Sequence, residues 1–277
     1  MNTSTGIENW RVPDELWEQM GPLLPVHANT HRFGGGRPRR ADRLCADAIF
    51  FVLRTGCQWK ALDATRFVPG STAHDRFQEW VAAGFFLKLW KAGLLDYDFF
   101  KGINWRWLSM DGTMTKAPLG GEKTGPNPTD RGKQGVKRSI MTEGRGVPIG
   151  LEVEGANRVD FKMAKATVVN IAVERPAVEE TGKQHMCLDK GYDYAEIDDL
   201  MKTFGFTAHI ARRGQATQKI KRSTRKKARR WVVERAHSWL NRFRGILIRW
   251  NKKVENYLAM LHFALAFIAY RASGLFG

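Results

Sequence analysis

The sequence predicts an α/β protein, with an all-helical module over residues 1–100 and a mixed-sheet domain over residues 101–277. Three observations carry that reading. Up to about Lys101 the apolar residues recur at helical spacing. Beyond it, three short strand-like runs follow one another and two more alternate with helical stretches. Hydrophobic residues make up 43% of the chain, with 16 Phe and 10 Trp, enough to fill a sizeable core.

Residues 13–24 read as a short helix stopped by Pro25, followed by a glycine-rich basic segment, Gly34-Gly35-Gly36-Arg37-Pro38-Arg39-Arg40. A second helix is expected over 41–55, with Leu44, Ala48, Phe51 and Val52 inward and Gly56 as its end. Ser71-Thr72 is expected to cap a third helix running through Phe77, Trp80 and Val81 to Gly84. Strands are expected over 105–115, 136–142, 147–154, 185–188 and 207–210, and the Gly-, Pro-, Lys- and Asn-rich stretch 119–135 reads as a mobile loop. A long helix is expected over 223–248. Its inward stripe is Val232, Ala236, Trp239, Leu240, Phe243 and Leu247, which leaves Arg230, Glu234, His237, Ser238 and Asn241 on a polar face. Segment 257–270 is apolar all round and therefore buried, against the sheet or in a subunit contact.

Charge narrows the class of partner. The formal net charge is +17 and the pI about 10.1. Residues 202–253 hold 17 lysines and arginines and one acid, Glu234, so nearly all of that charge sits in this stretch. A polyanionic partner follows. An acid inside such a patch weakens phosphate binding, whereas chemistry on phosphodiesters needs carboxylates to hold a divalent metal. The N-terminal residues lack a signal-peptide pattern and the longest apolar run is too short to span a bilayer, so no membrane role is expected. Cys45, Cys57 and Cys187 are odd in number and contain no CxxC pair, which points to a reduced, cytoplasmic protein without a structural zinc site.

Two further acids stand out by position. Asp111 follows Trp107-Leu108-Ser109-Met110 within the first expected strand, and Asp189 follows His185-Met186-Cys187-Leu188 at the end of the fourth. A carboxylate in such a setting needs a partner, because an unpaired buried charge costs roughly several kcal/mol or is neutralised instead. Turn initiation or helix capping is the competing explanation for each aspartate. For Glu234 the competitor is an exposed helix glutamate paired with Arg230.

Ser109-Met110-Asp111-Gly112-Thr113, Gly155-Ala156-Asn157-Arg158, Leu188-Asp189-Lys190-Gly191-Tyr192-Asp193, Val233-Glu234-Arg235 and Asn241-Arg242-Phe243-Arg244 occur in that order, with the three acids 78 and then 45 residues apart. In these residues the chain resembles the DDE transposases of bacterial insertion sequences, most closely the insertion sequence five family, over nearly its whole length. The resemblance implies a ribonuclease H-like catalytic domain in which Asp111, Asp189 and Glu234 are the catalytic and metal-binding residues. It implies two Mg²⁺ ions, with Mn²⁺ as a substitute, and in-line displacement at phosphorus without a covalent protein intermediate. Water cuts at the transposon end, and the freed 3′ hydroxyl then attacks target DNA. The implied partner is double-stranded DNA, both transposon ends and target, and joining two ends implies a homodimer or larger assembly on DNA, in the bacterial cytoplasm at the nucleoid. Around the glutamate the family pattern is Tyr, two residues, Arg, three residues, Glu, six residues, Lys or Arg. Arg230 and Glu234 match it, whereas Lys227 and Asn241 stand at the tyrosine and basic positions, so those two roles do not carry over.

DNA contacts are expected from Arg37, Arg39 and Arg40, where Gly36-Arg37-Pro38-Arg39 is similar to an AT-hook core, although an ordinary helix-entry device is the favoured reading of that proline. They are expected also from Arg158, Arg212, Arg213, Lys221, Arg222, Arg225, Lys226 and Arg230, and from Arg242 or Arg244 in place of the missing basic residue. Trp59, Trp80, Trp90, Trp105 and Trp107 read as core rather than as base-stacking groups. Two other functions compete with a transposase: a catalytically inactive DNA-binding regulator derived from one, and a ribonuclease H-like nuclease with other substrates. The intact set of acids speaks against the first and the separate helical module against the second.

Overall fold

The computed structural model describes residues 10–27, 35, 38–210 and 230–276. α1 (Asp14–Met20) passes into a 3-10 turn at Gly21–Leu23, as the sequence suggests. α2 (Asp42–Thr55) ends at Gly56, whose φ of 71° is the left-handed conformation that favours glycine. Its buried face is built from Cys45, Ala48, Ile49, Val52 and Leu53, so the expected stripe is rotated, with Leu44 exposed and Phe51 half-buried. α3 (Gly70–Ala82) is preceded by Pro69 at its cap, not by Ser71-Thr72. Asp63 Oδ1 takes over that task by accepting from the Gly70 amide at 2.7 Å.

A fourth helix, α4 (Phe85–Lys101), escaped the sequence reading. Leu87, Leu95, Phe99 and Phe100 are exposed beside the buried Phe86, Leu89, Trp90 and Leu94, and this blurs its periodicity.

Six strands follow: β1 (Trp107–Lys116), β2 (Gly125–Pro126), β3 (Gln134–Thr142), β4 (Pro148–Gly155), β5 (Gln184–Leu188) and β6 (Phe206–Ile210). β3 lies antiparallel between β1 and β4, while β5 runs parallel to β1 on its other side and β6 parallel to β5. The sheet is therefore mixed, in the order β4-β3-β1-β5-β6, with the short β2 also against β3. The 119–135 stretch is tied down rather than loose. It carries β2, Glu122 bonds the backbone at Lys252 and Val254, and Lys123 pairs with Glu152 and Glu154 at 2.8 and 3.1 Å.

The helices of this half are α5 (Asp160–Val169), α6 (Val178–Thr181), α7 (Ala195–Thr203), α8 (Trp231–Leu240), α9 (Arg244–Leu247) and α10 (Val254–Ser273). The helix expected over 223–248 is broken. α8 stops at Leu240, and Gly245 lets α9 approach the α2 backbone so closely that a Cβ there would stand 2.9 Å from the Val52 carbonyl oxygen. Residues 223–229 lie outside the described part.

α10 packs along α4. Phe263 meets Phe50 and Phe86 with ring centroids 5.6 and 5.5 Å apart, and the Tyr270 ring lies so close to Gly93 that a Cβ would be 2.9 Å from it. The apolar C-terminal segment thus closes the helical layer, in one core with the sheet. Among the described residues no helix is long and apolar enough to cross a membrane.

Candidate active site

Strand alternation decides what meets where. Asp111 pairs with Ile140, Thr113 with Arg138, Gly112 with Ser139 and Met114 with Lys137. Asp111 and Arg138 therefore share one face of the sheet, and Gly112, Ser139 and Lys137 the other. α8 reaches the first face, where Arg138 donates to Asn241 Oδ1 at 3.1 Å. α5 reaches the second, where Thr167 and Ser139 hydroxyls stand 2.8 Å apart.

β1 and β5 are neighbours, and the turn after β5 brings Asp189 near Asp111. Burial pushes the Asp111 carboxyl up to about 6, the Gly112 amide and Arg230 pull it back, and the charges of Asp189 and Asp160 push it further up. Asp189 Oδ1 accepts from the Gly191 amide at 2.7 Å and so caps the 3-10 turn Lys190–Tyr192. The turn-starting role weighed for this aspartate is real and coexists with its place beside Asp111. Tyr192 is fully buried, and its hydroxyl is held well above its usual range by burial and then by the charges of Asp160, Asp111 and Asp189.

Asp160 is the residue that the sequence reading missed. It opens α5, and its Oδ1 lies 3.1 Å from the buried Lys137 Nζ. A Cβ on Gly112 would overlap that same carboxylate, and one on Gly191 would stand 2.8 Å from Asp189 Oδ1 and 3.7 Å from Asp160 Oδ2. The two glycines are thus the gaps that admit the carboxylates of Asp160 and Asp189, whose charges act on Asp111. The available signal was an aspartate two residues beyond Gly155-Ala156-Asn157-Arg158, together with a lysine inside an otherwise buried strand.

Glu234 sits in the first turn of α8, exposed, with Oε1 3.5 Å from Arg230 Nη2. One turn further, His237 is only 5% exposed and so turns inward, away from the polar face assigned to it, while Glu234 and Ser238 of that face stay exposed. Its Nε2 is 3.9 Å from Asp111 Oδ2, and burial, followed by the nearby Arg138 charge, pushes it down to about 3, so the imidazole is neutral at pH 7. Asn241, which breaks the family pattern, serves as a neutral acceptor for the buried Arg138. The structure therefore brings Asp111 and Asp189 together and leaves Glu234 at the surface of the adjacent helix. Among the described residues, no three His, Cys, Asp or Glu side chains are grouped to hold a metal ion.

The expected DNA contacts divide into three sets. Arg40, Arg158, Arg242 and Arg244 are exposed. Arg39 is already engaged, 2.9 Å from both Glu79 oxygens and 3.6 Å from Asp42, and Arg230 faces Glu234. Arg37, Arg212, Arg213, Lys221, Arg222, Arg225 and Lys226, and with them Lys227, lie outside the described residues. Trp80, Trp90 and Trp105 are core as expected; Trp59 packs at a tilt against Phe77 and Trp107 stacks on His185, both tryptophans half-buried.

Residues 12–90 match a family model described as "Putative transposase of IS4/5 family", and residues 106–269 match the "Transposase DDE domain". The chain is 30% identical over 164 residues to the "Putative transposase for insertion sequence element IS402" of Burkholderia cepacia, covering 54% of this chain and 70% of that protein. A second IS402 product of that organism, an "uncharacterized 16.2 kDa protein", is 30% identical over 118 residues, 42% of this chain and 80% of its own length. Among solved structures, the pre-cleavage Mos1 transpososome aligns with 90% of this chain and 83% of its own at 12% identity, with a TM-score of 0.32, too low to carry an argument. On the match of the catalytic-domain model over more than half of the sequence, the chain belongs to the DDE transposase family, metal-dependent enzymes that cleave and transfer polynucleotide strands.

Proposed function

We propose that this protein binds the terminal inverted repeats of an insertion sequence and, with Mg²⁺, cleaves its ends and transfers them to target DNA. The observation that carries this reading is the meeting of Asp111 and Asp189 at neighbouring parallel strands, with the Asp111 carboxyl pushed up to about 6 by burial and further by the charge of Asp189. Hard carboxylate oxygens of this kind suit a divalent cation. Asp111 and Asp189 would hold it, with Glu234, one turn from the His237 that touches Asp111, as the third acid. When bound, the ion supplies Lewis-acid stabilisation of the attacking and leaving oxygens. The chain's own part is positional: β1 and β5 fix two carboxylates, and neutral His237 covers Asp111 without adding charge. The strand order, with three antiparallel strands followed by two parallel ones, fits the ribonuclease H-like core expected from the resemblance. Residues 1–100 read the transposon end, while α10 holds that layer in the common core, so the end-reading part is tested within the full chain. Two ends joined together call for a dimer or larger assembly on DNA.

The inactive-regulator reading also has an observation in its favour, the pairing of Glu234 with Arg230 where no three-acid cluster stands among the described residues. One experiment separates the two. A labelled transposon end is incubated in Mg²⁺ or Mn²⁺ with the wild type and with Glu234→Gln, Asp111→Asn and Asp189→Asn, beside a binding assay. Cleavage by the wild type and its loss by about 10³-fold or more in each variant, with binding retained, is the expected result. Binding without cleavage by the wild type establishes the regulator. Cleavage retained by Glu234→Gln removes this residue from the site.

A further inference from the structure

Where α8 gives way to α9, the ends of α2 and α10 enclose a cavity of about 280 Å³. Arg54, Arg242 and Arg271 line it, and no carboxylate does. Its other walls include Trp239, Phe243 and Phe267. The Arg54 guanidinium lies 5.3 Å from the Phe243 ring centre and 6.0 Å from that of Phe267, so aromatic faces hold it in place. Its Nε is buried and has no hydrogen-bond acceptor among the described residues. Burial, and after it the charges of Arg271 and Arg242, lowers the Arg54 pKa, as expected where like charges converge without a counterion.

Three cations gathered from two helices and the turn between α8 and α9, one with an unused buried donor, make a poor structural device. They cost stability unless an anion completes them. Guanidinium groups around a small cavity match the oxygens of a phosphate, which accept several charge-assisted hydrogen bonds at once. We propose that this cavity is a phosphate-binding site formed by Arg54, Arg242 and Arg271. Its occupant is a phosphate group, supplied by a DNA backbone or by a free phosphate. Only the DNA source rests on the DNA-binding function proposed above. The cavity itself is independent of Asp111, Asp189 and Glu234.

The test uses the full chain and the exposed positions, Arg242→Gln and Arg271→Gln, with Arg54 left to support the core. In one arm, thermal unfolding is followed against sodium phosphate, with sodium chloride at matched ionic strength as reference. In the other, binding to duplex DNA is measured across a salt series. We expect a saturable, phosphate-specific rise in Tm whose apparent affinity falls at least tenfold in each variant, and a salt slope lower by about 0.9 log unit for each phosphate no longer neutralised. A response in both arms, or in the duplex arm alone, identifies backbone phosphate as the occupant. A response to inorganic phosphate alone identifies a free phosphate ligand. Variants that match the wild type in both arms overturn the proposal, and would mean that the arginines only solvate the helix ends. A wild type that fails to cleave DNA leaves both arms readable, so the two proposals fail separately.

Discussion

The acid edge of the sheet and the arginine cavity are both places where the fold gathers like charges, yet they are offset differently. At the acid edge Asp160 and Asp189 lie against Gly112 and Gly191, their charges act on Asp111, and Lys137 pairs with Asp160. At the cavity Arg54, Arg242 and Arg271 converge with aromatic rings and no acid lining it. α8 joins the two, with His237 against Asp111 and Trp239 in the cavity wall. The difference teaches where each repulsion is meant to be relieved. Lys137 neutralises one carboxylate internally, and the proposed cation would offset the other two, whereas the arginines have aromatic and aliphatic neighbours at the cavity and the proposed phosphate would offset them from outside.

The largest expected effect comes from removing the internal cation. Lys137→Met leaves Asp160 without its partner beside two other aspartates, and should destabilise the fold by about 3 kcal/mol or more, measured by denaturant unfolding at pH 7. Unchanged stability would show that the ion pair does not hold the acid edge together, and the contrast with the cavity would disappear.

Next comes a change of opposite sign. Because the folded-state pKa of Asp111 is raised to about 6, the fold binds its proton more tightly than the unfolded chain does, and stability from this group is lost as pH rises from about 4 through 6. Asp111→Asn should therefore unfold less readily than the wild type at pH 7, by at most about 3 kcal/mol at 1.36 kcal/mol per unit. The gain should vanish below about pH 4. A gain independent of pH would trace it to packing instead of to charge.

The smallest effect belongs to a third cluster, one in which the charges are already matched. Arg39 is gripped by Glu79 and Asp42 at the surface, so Arg39→Ala should cost about 1 kcal/mol or less and leave the salt dependence of DNA binding unchanged. A slope lower by about 0.9 log unit would restore Arg39 to the DNA contacts and show that this pairing yields to phosphate.

Strand positions were readable because alternation and bounding glycines act over a few residues: β1, β3, β4, β5 and β6 fall within two residues of their expected limits. Asp111 and Asp189 were readable for the same reason, since each stands where an apolar strand run meets glycine. α4 was not, because its apolar residues fall on exposed as well as buried faces and leave no single apolar stripe to give it away. The break between α8 and α9 was hidden as well, since it depends on Gly245 meeting the backbone of α2, nearly two hundred residues earlier.

The sequence by itself determined the mixed α/β class, the concentration of positive charge in 202–253 and the family to which the chain belongs, all of which rest on local pattern and composition. Only the tertiary structure decided that Asp160 comes close to Asp189 and its charge acts on Asp111, that His237 is buried and neutral, that Asn241 serves Arg138, and that three distant arginines share a cavity. Each of these joins residues whose separation along the chain carries no information about their distance in space. The register of β1 against β3, and the close approach that single glycines permit, determine which side chains meet.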